Sequence, residues 1–114
     1  MQKSHLHLIK WAVARGYSVM VFGEGEFDGV HSTYEEIKDN VEACDMGQMD
    51  LVTRNVLEEQ EEESGYVFHA SFAYIFDYDQ EPDEIIYDYG VNEISEQWAR
   101  DYEATRKEVP REDG

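Results

Sequence analysis

The stretch Tyr66-Val67-Phe68-His69-Ala70-Ser71-Phe72-Ala73-Tyr74-Ile75-Phe76 holds no formal charge, in a chain whose net charge is −18. Tyr66, Phe68, Ala70, Phe72, Tyr74 and Phe76 share one parity, and Val67, His69, Ser71, Ala73 and Ile75 the other, which is the period of a strand. One face is aromatic and the other smaller and partly polar. A central strand that buries its aromatic face explains the pattern economically. Acidic segments flank it, Glu58 to Glu63 before and Asp77 to Glu84 after. The expectation is an aromatic sheet core inside an acidic shell.

The elements on either side follow from spacing. Leu6, Ile9 and Val13 recur as one face of a first helix, with Ser4 as its cap and Gly16 at its end. Tyr17 to Phe22 reads as a strand, Gly23-Glu24-Gly25 as a turn, and Glu26 to His31 as the return strand. Ser32 with Glu35 three residues on is a capping-box pattern. It opens a helix from Thr33 to Asp45 whose stripe is Tyr34, Ile37, Val41 and Cys44. Met46-Gly47 ends that helix, and Met49 to Leu57 forms a further strand. Glu58 to Gly65 is a solvated hairpin loop. Ile85 to Tyr89 fits an edge strand or a helical turn begun by Pro82, and periodicity leaves both open. Asn92 caps a last helix that carries Ile94, Trp98 and Tyr102. The fold class is α+β: an antiparallel sheet of three to five strands with two to three helices packed against it. Residues 1–104 form one domain, and 105–114 a flexible tail.

A chain of 114 residues, 41% of them hydrophobic, is long enough for a single core. The 27 Asp and Glu against 9 Lys and Arg decide what it can bind. Phosphates and anionic membranes are repelled, and no basic patch exists to release counterions, so no direct nucleic acid and no membrane are expected as partners. Cys44 is the sole cysteine, which rules out an intrachain disulfide and suits a reducing cytoplasm. No run approaches the ~18 apolar residues of a membrane span.

The charged clusters are the candidate sites. On the second helix Glu35, Asp39 and Glu42, with Glu36 beside them, recur at i, i+4, i+7, so their attachment points lie ~6 and ~4.5 Å apart along the axis. That is the scale on which the phosphates of one DNA strand repeat, ~3.4 Å of axial rise each. Such a face would fit phosphate positions in a protein's DNA groove, or be simply a solvated helix face. A second cluster alternates Asp77, Asp79, Asp83, Glu84 and Asp88 with Tyr78, Tyr87 and Tyr89, where acids steer a basic partner and rings anchor it. Its plain alternative is a soluble sheet edge. Glu59 and Glu62 project from the acidic loop. Asp77, Asp79, Glu81 and Asp88 match positions 1, 3, 5 and 12 of a calcium loop, but Pro82 stands where that loop needs Gly. No metal and no cofactor are expected. His5 and His7 point ~200° apart on a helix and cannot chelate together. His69 is read as a hydrogen-bonded structural residue and Cys44 as a buried one. No catalytic set is present, so the chain is read as no enzyme.

Two blocks, Leu8 to Val19 and Ser32 to Ile37 through Val41-Glu42, together resemble a group of small acidic proteins encoded by tailed bacteriophages, mostly of unassigned function. The likeness covers roughly the first half of the chain. It implies a phage setting, in which compact acidic proteins often block host enzymes that handle DNA or RNA. The expected function is inhibition of a basic, nucleic-acid-binding host protein by mimicry of DNA phosphate charge. The alternative is a phage interaction or assembly protein, a homodimer through its aromatic sheet edge, acidic for solubility.

Overall fold

The computed structural model describes residues 2–54 and 65–108. The alternating segments form one five-stranded antiparallel sheet in the order β2-β1-β3-β4-β5, and three helices join them. In chain order the elements are α1 (Ser4–Ala14), β1 (Ser18–Gly23), β2 (Glu26–His31), α2 (Tyr34–Glu42), β3 (Met46–Arg54), β4 (Tyr66–Ile75), a 3₁₀ turn (Pro82–Glu84), β5 (Ile86–Tyr89) and α3 (Glu93–Glu108). The expected α+β architecture is what forms.

Register across the strands fixes which side is covered. Val21, Met49, Phe72 and Tyr89 make one row, and Val19, Leu51 and Ala70 the next. Leu8, Ile9 and Ala12 of α1, Ile37 and Val41 of α2, and Trp98 and Tyr102 of α3 pack on these rows in a single buried cluster. All three helices thus lie on one face of the sheet. Among the described residues the other face is bare of helices, although Val52 on it is only 2% exposed.

Several local expectations are corrected. Ser4 does not cap α1; it is the first helical residue, fully buried, and its Oγ accepts a hydrogen bond from the Ile86 amide at 2.9 Å. The hydroxyl ties α1 to the edge strand, where an unpaired amide beside the core would be costly. Thr33, not Ser32, caps α2, accepting from the Glu36 amide, while Ser32 bonds Ser18 at 2.8 Å. The helix ends at Glu42, three residues sooner than the apolar stripe suggested. β3 begins at Met46, so Met46-Gly47 is strand where the sequence reads as the end of the helix. Gly47 belongs there because it faces the Tyr74 ring: a Cβ at Gly47 would meet Tyr74 Oη at 2.6 Å, and the Phe22 carbonyl oxygen as well. Both alternatives for the segment after Pro82 occur in succession, a 3₁₀ turn and then an edge strand. Asn92 caps α3 as expected: its Oδ1 accepts from the Ser95 amide, and Ser95 Oγ accepts from the Asn92 amide. α3 continues to Glu108, past residue 105.

The aromatic parity of β4 holds only in part. Ala70, Phe72 and Tyr74 are fully buried, whereas Phe68 is 58% exposed. Between Leu51↔Ala70 and Val52↔Phe68 the pairing advances one residue in β3 and two in β4, a bulge at His69. An extra residue inverts the alternation beyond it. Phe68 therefore pairs with Val52 on the bare face.

Candidate functional site

Antiparallel order brings three distant connections to one end of the sheet. The β1–β2 turn, the link from α2 to β3, and the segment from β4 to β5 all lie there, because β1 and β4 end where β2, β3 and β5 begin. They bring Glu24, Glu26, Asp28, Asp45, Asp77, Asp79, Glu81, Asp83 and Glu84 to that end. Residues 23–29, 43–47 and 76–85 contain no Lys or Arg. The links are hydrogen-bonded into place: the Glu24 amide donates to the Met46 carbonyl at 2.9 Å, and the Phe76 amide to the Asp45 carbonyl at 2.7 Å. Cys44 reports the resulting field. Burial, then Glu24, Asp28, Asp45 and Glu26, push its thiol up. A thiol held protonated by carboxylates is poorly suited to nucleophilic work, and it is half-buried rather than sealed in the core. Burial likewise pushes the Tyr74 phenol up to about 12, with help from Cys44, Asp28 and Glu24.

Two residues with positive φ other than glycine stand at this end, Glu24 (53°) and Asp79 (61°). Glu24 precedes Gly25 (86°) in a tight hairpin turn whose first central position favours Asn or Asp. A glutamate held there costs roughly 1 kcal/mol. The turn keeps a longer carboxylate where local chemistry prefers a shorter side chain.

Among the described residues Lys3 lines a cavity with Asp45 and Phe76 at this end, and other cations are engaged elsewhere. Arg15 stacks over Trp11 at 4.2 Å and reaches Asp101 at 3.3 Å, Lys10 lies over the Tyr34 ring, and Lys38 pairs with Glu42. Asp101 also accepts from the Trp11 indole at 2.7 Å and from Gln97. That indole bond above all, with Gln97 and Arg15, holds its carboxyl below the ordinary range.

The predicted contact residues divide into groups. Asp77, Asp79, Asp83 and Glu84 are at the acidic end, where Tyr78 is 96% exposed. Glu35, Glu36 and Asp39 are exposed on α2. Glu42 is committed inward, accepting from His5 Nε2 at 2.7 Å. Although partial burial works the other way, its bonds from His5 and Lys38 hold its carboxyl below the usual value. Tyr87 and Asp88 are exposed, Asp88 paired with Ala73 on the bare face, while Tyr89 packs on Phe72 and Trp98. Glu59 and Glu62, with the loop that holds them, lie outside the described residues. Sequence reasoning missed Glu24, Glu26, Asp28 and Asp45. Counting which connections fall at the same end of an antiparallel sheet would have found them.

Three of the four histidines are structural in different ways. His69 meets Thr53 Oγ1 at 2.7 Å. His7 Nδ1 accepts from the Trp98 indole at 3.0 Å. His5 is 1% exposed, and its Nδ1 has no partner. Protonation would add a buried N–H with nothing to receive it, so His5 is neutral and donates from Nε2. Burial lowers the pKa of His5 and of His7 against the opposing pull of Glu42 and Asp101. Their folded values lie below the unfolded value of 6.5, so the unfolded chain takes up protons first. This contribution to stability is complete above pH 6.5 and is lost as pH falls through the folded values. The contribution of His5 and His7 therefore falls below pH 6.5. The melting temperature falls from about pH 7 to 5.5, and a His5→Gln/His7→Gln variant, which keeps donor and acceptor, shows a flatter profile. A wild type equally stable at both pH values would contradict the neutral assignments.

Among the described residues no cluster of three or more His, Cys, Asp or Glu is arranged to hold a metal ion, and no helix is long and apolar enough to cross a membrane. Comparison of the chain with protein-family models, with curated proteins and with solved structures finds no match in any of the three.

Proposed function

We propose that this chain is a phage-type acidic inhibitor that occupies the basic groove of a host nucleic-acid-binding protein, with carboxylates standing in for phosphates. The observation that carries the reading is the convergence of three cation-free connections at one end of the sheet. Like charges gathered this way oppose folding, and they focus a negative field that steers a basic partner. The exposed Glu35, Glu36 and Asp39 extend the charge along α2. Restriction enzymes, CRISPR effectors, nucleases and polymerase-associated factors all present such grooves.

The experiment is capture from a bacterial lysate at about 50 and 500 mM salt, since surface charge is screened within ~3–15 Å across that range. The expected result is a basic nucleic-acid-binding protein that elutes as salt rises and is displaced by duplex DNA. Asp77→Asn/Asp79→Asn/Asp83→Asn/Glu84→Gln should bind that protein about 10- to 100-fold more weakly. Asn suits the positive φ at Asp79, and Gln keeps the acceptor that receives the Glu81 amide. Capture that is indifferent to salt, or to these four changes, would sink the reading. It would favour the alternative, an interaction or assembly protein, which the exposed Phe27, Phe68 and Tyr87 support.

A further inference from the structure

The bare face of the sheet adjoins the acidic end, and one row of it crosses all five strands: Phe27, Phe22, Gln48, Ala73 and Asp88 are successive partners. Phe27 is 59% exposed and its ring lies 5.6 Å from that of Phe22. Along the middle of this row is a groove of about 570 Å³, lined by Phe22, Met46, Gly47, Gln48, Ala73 and Tyr87, with Glu24 beside them. Met46 and Tyr87 are 44% and 56% exposed. A chain with 27 acidic residues has ample means to cover a sheet face with charge, yet here it leaves aromatic and thioether surface open.

Charge decides the occupant. The carboxylates beside the groove are Glu24, Asp88 next to Ala73, and Asp50 one row further in, facing Ser71. Among the described residues no Lys or Arg lines it. A second copy of the chain would bring the same carboxylates against these. A segment with Arg or Lys on either side of an apolar side chain would place the apolar group between Phe22, Met46 and Tyr87, and its cations against Glu24 and Asp88. We infer that this groove is the anchoring pocket for an apolar side chain in a cationic segment of the partner protein. The inference rests on the reading above and adds to it a contact that salt does not screen.

Two synthetic peptides of equal length and equal arginine content test it, one with Leu and one with Ser between the arginines, with binding followed by fluorescence anisotropy at about 150 mM salt. Burial of one or two leucines makes the Leu peptide bind roughly tenfold or more tightly than the Ser peptide. Ala73→Gln, which fills the groove without changing charge, and Tyr87→Ser, which removes a ring from its lining, each bring the two peptides to similar affinity. Unchanged melting temperatures would show that both variants are folded. Equal binding of the two peptides to the wild type overturns the inference, as does an advantage for Leu that survives both variants, or the failure of both peptides to bind. None of these outcomes touches the charge reading, which stands or falls on the captured protein and its response to salt and to the neutralised acidic end.

Discussion

Trp98→Ala unfolds this domain more readily than any surface change, by about 3–5 kcal/mol. Trp98 is the point at which α3 is fastened to the rest of the chain. It is 4% exposed, stacks on Tyr102 at 5.5 Å and 13°, meets Phe72 edge-on at 5.5 Å, and touches Tyr89. Its indole N–H bonds His7 of α1 at 3.0 Å. Truncation removes the ring from four neighbours, leaves a cavity between α3 and β4, and takes away the donor that satisfies His7. Against a total stability of ~5–15 kcal/mol, that is a fifth or more. Urea unfolding should show a lower midpoint with an unchanged slope. Trp98→Phe keeps most of the packing and loses the hydrogen bond, so it costs about 1–2 kcal/mol. A loss below about 1 kcal/mol for Trp98→Ala would mean that α3 is not seated against β4 as described.

The helix, its cap at Asn92 and its stripe of Ile94, Trp98 and Tyr102 were legible in the sequence because each rests on contacts within a few residues. So were the strands of the β1–β2 hairpin and the central character of β4. What was not legible depends on pairing between distant segments. The parity of Tyr66 to Phe76 runs unbroken in sequence, and only the register against Leu51 and Val52 reveals the bulge that turns Phe68 outward. Ser4 is a good capping residue by type, but the Ile86 amide, 82 positions away, is what its hydroxyl meets. The candidate site shows the same division. Asp77 to Glu84 announce themselves as a run, whereas Glu24 and Asp45 look like ordinary loop acids until the strand order sets them beside it. The His5–Glu42 contact had no sequence signal, since neither spacing nor composition joins residues 37 positions apart.

Gly47→Ala is the second change with a large expected effect, about 2–3 kcal/mol of destabilisation. On the covered face the missing side chain makes room for Tyr74. A methyl there would meet Tyr74 Oη at 2.6 Å and Cζ at 2.8 Å, and would press on the Phe22 carbonyl oxygen in the neighbouring strand. A flexible side chain could swing aside, but a carbonyl fixed in β1 moves only if β1 and β3 move apart. Tyr74→Phe separates the two clashes. The Tyr74 hydroxyl is buried with no hydrogen-bond partner, so its removal alone should be neutral or stabilising by up to about 1 kcal/mol. In the Gly47→Ala background it should relieve the contact with Oη while the contacts with Cζ and with Phe22 remain, recovering part of the loss but not all of it. Full recovery would place the whole strain on the hydroxyl and none on the sheet. Because Gly47 also lines the groove with Phe22 and Ala73, strain that parts β1 from β3 reaches the bare face as well. The single change should therefore weaken both the fold and the apolar contact, and its partial suppressor should restore them together.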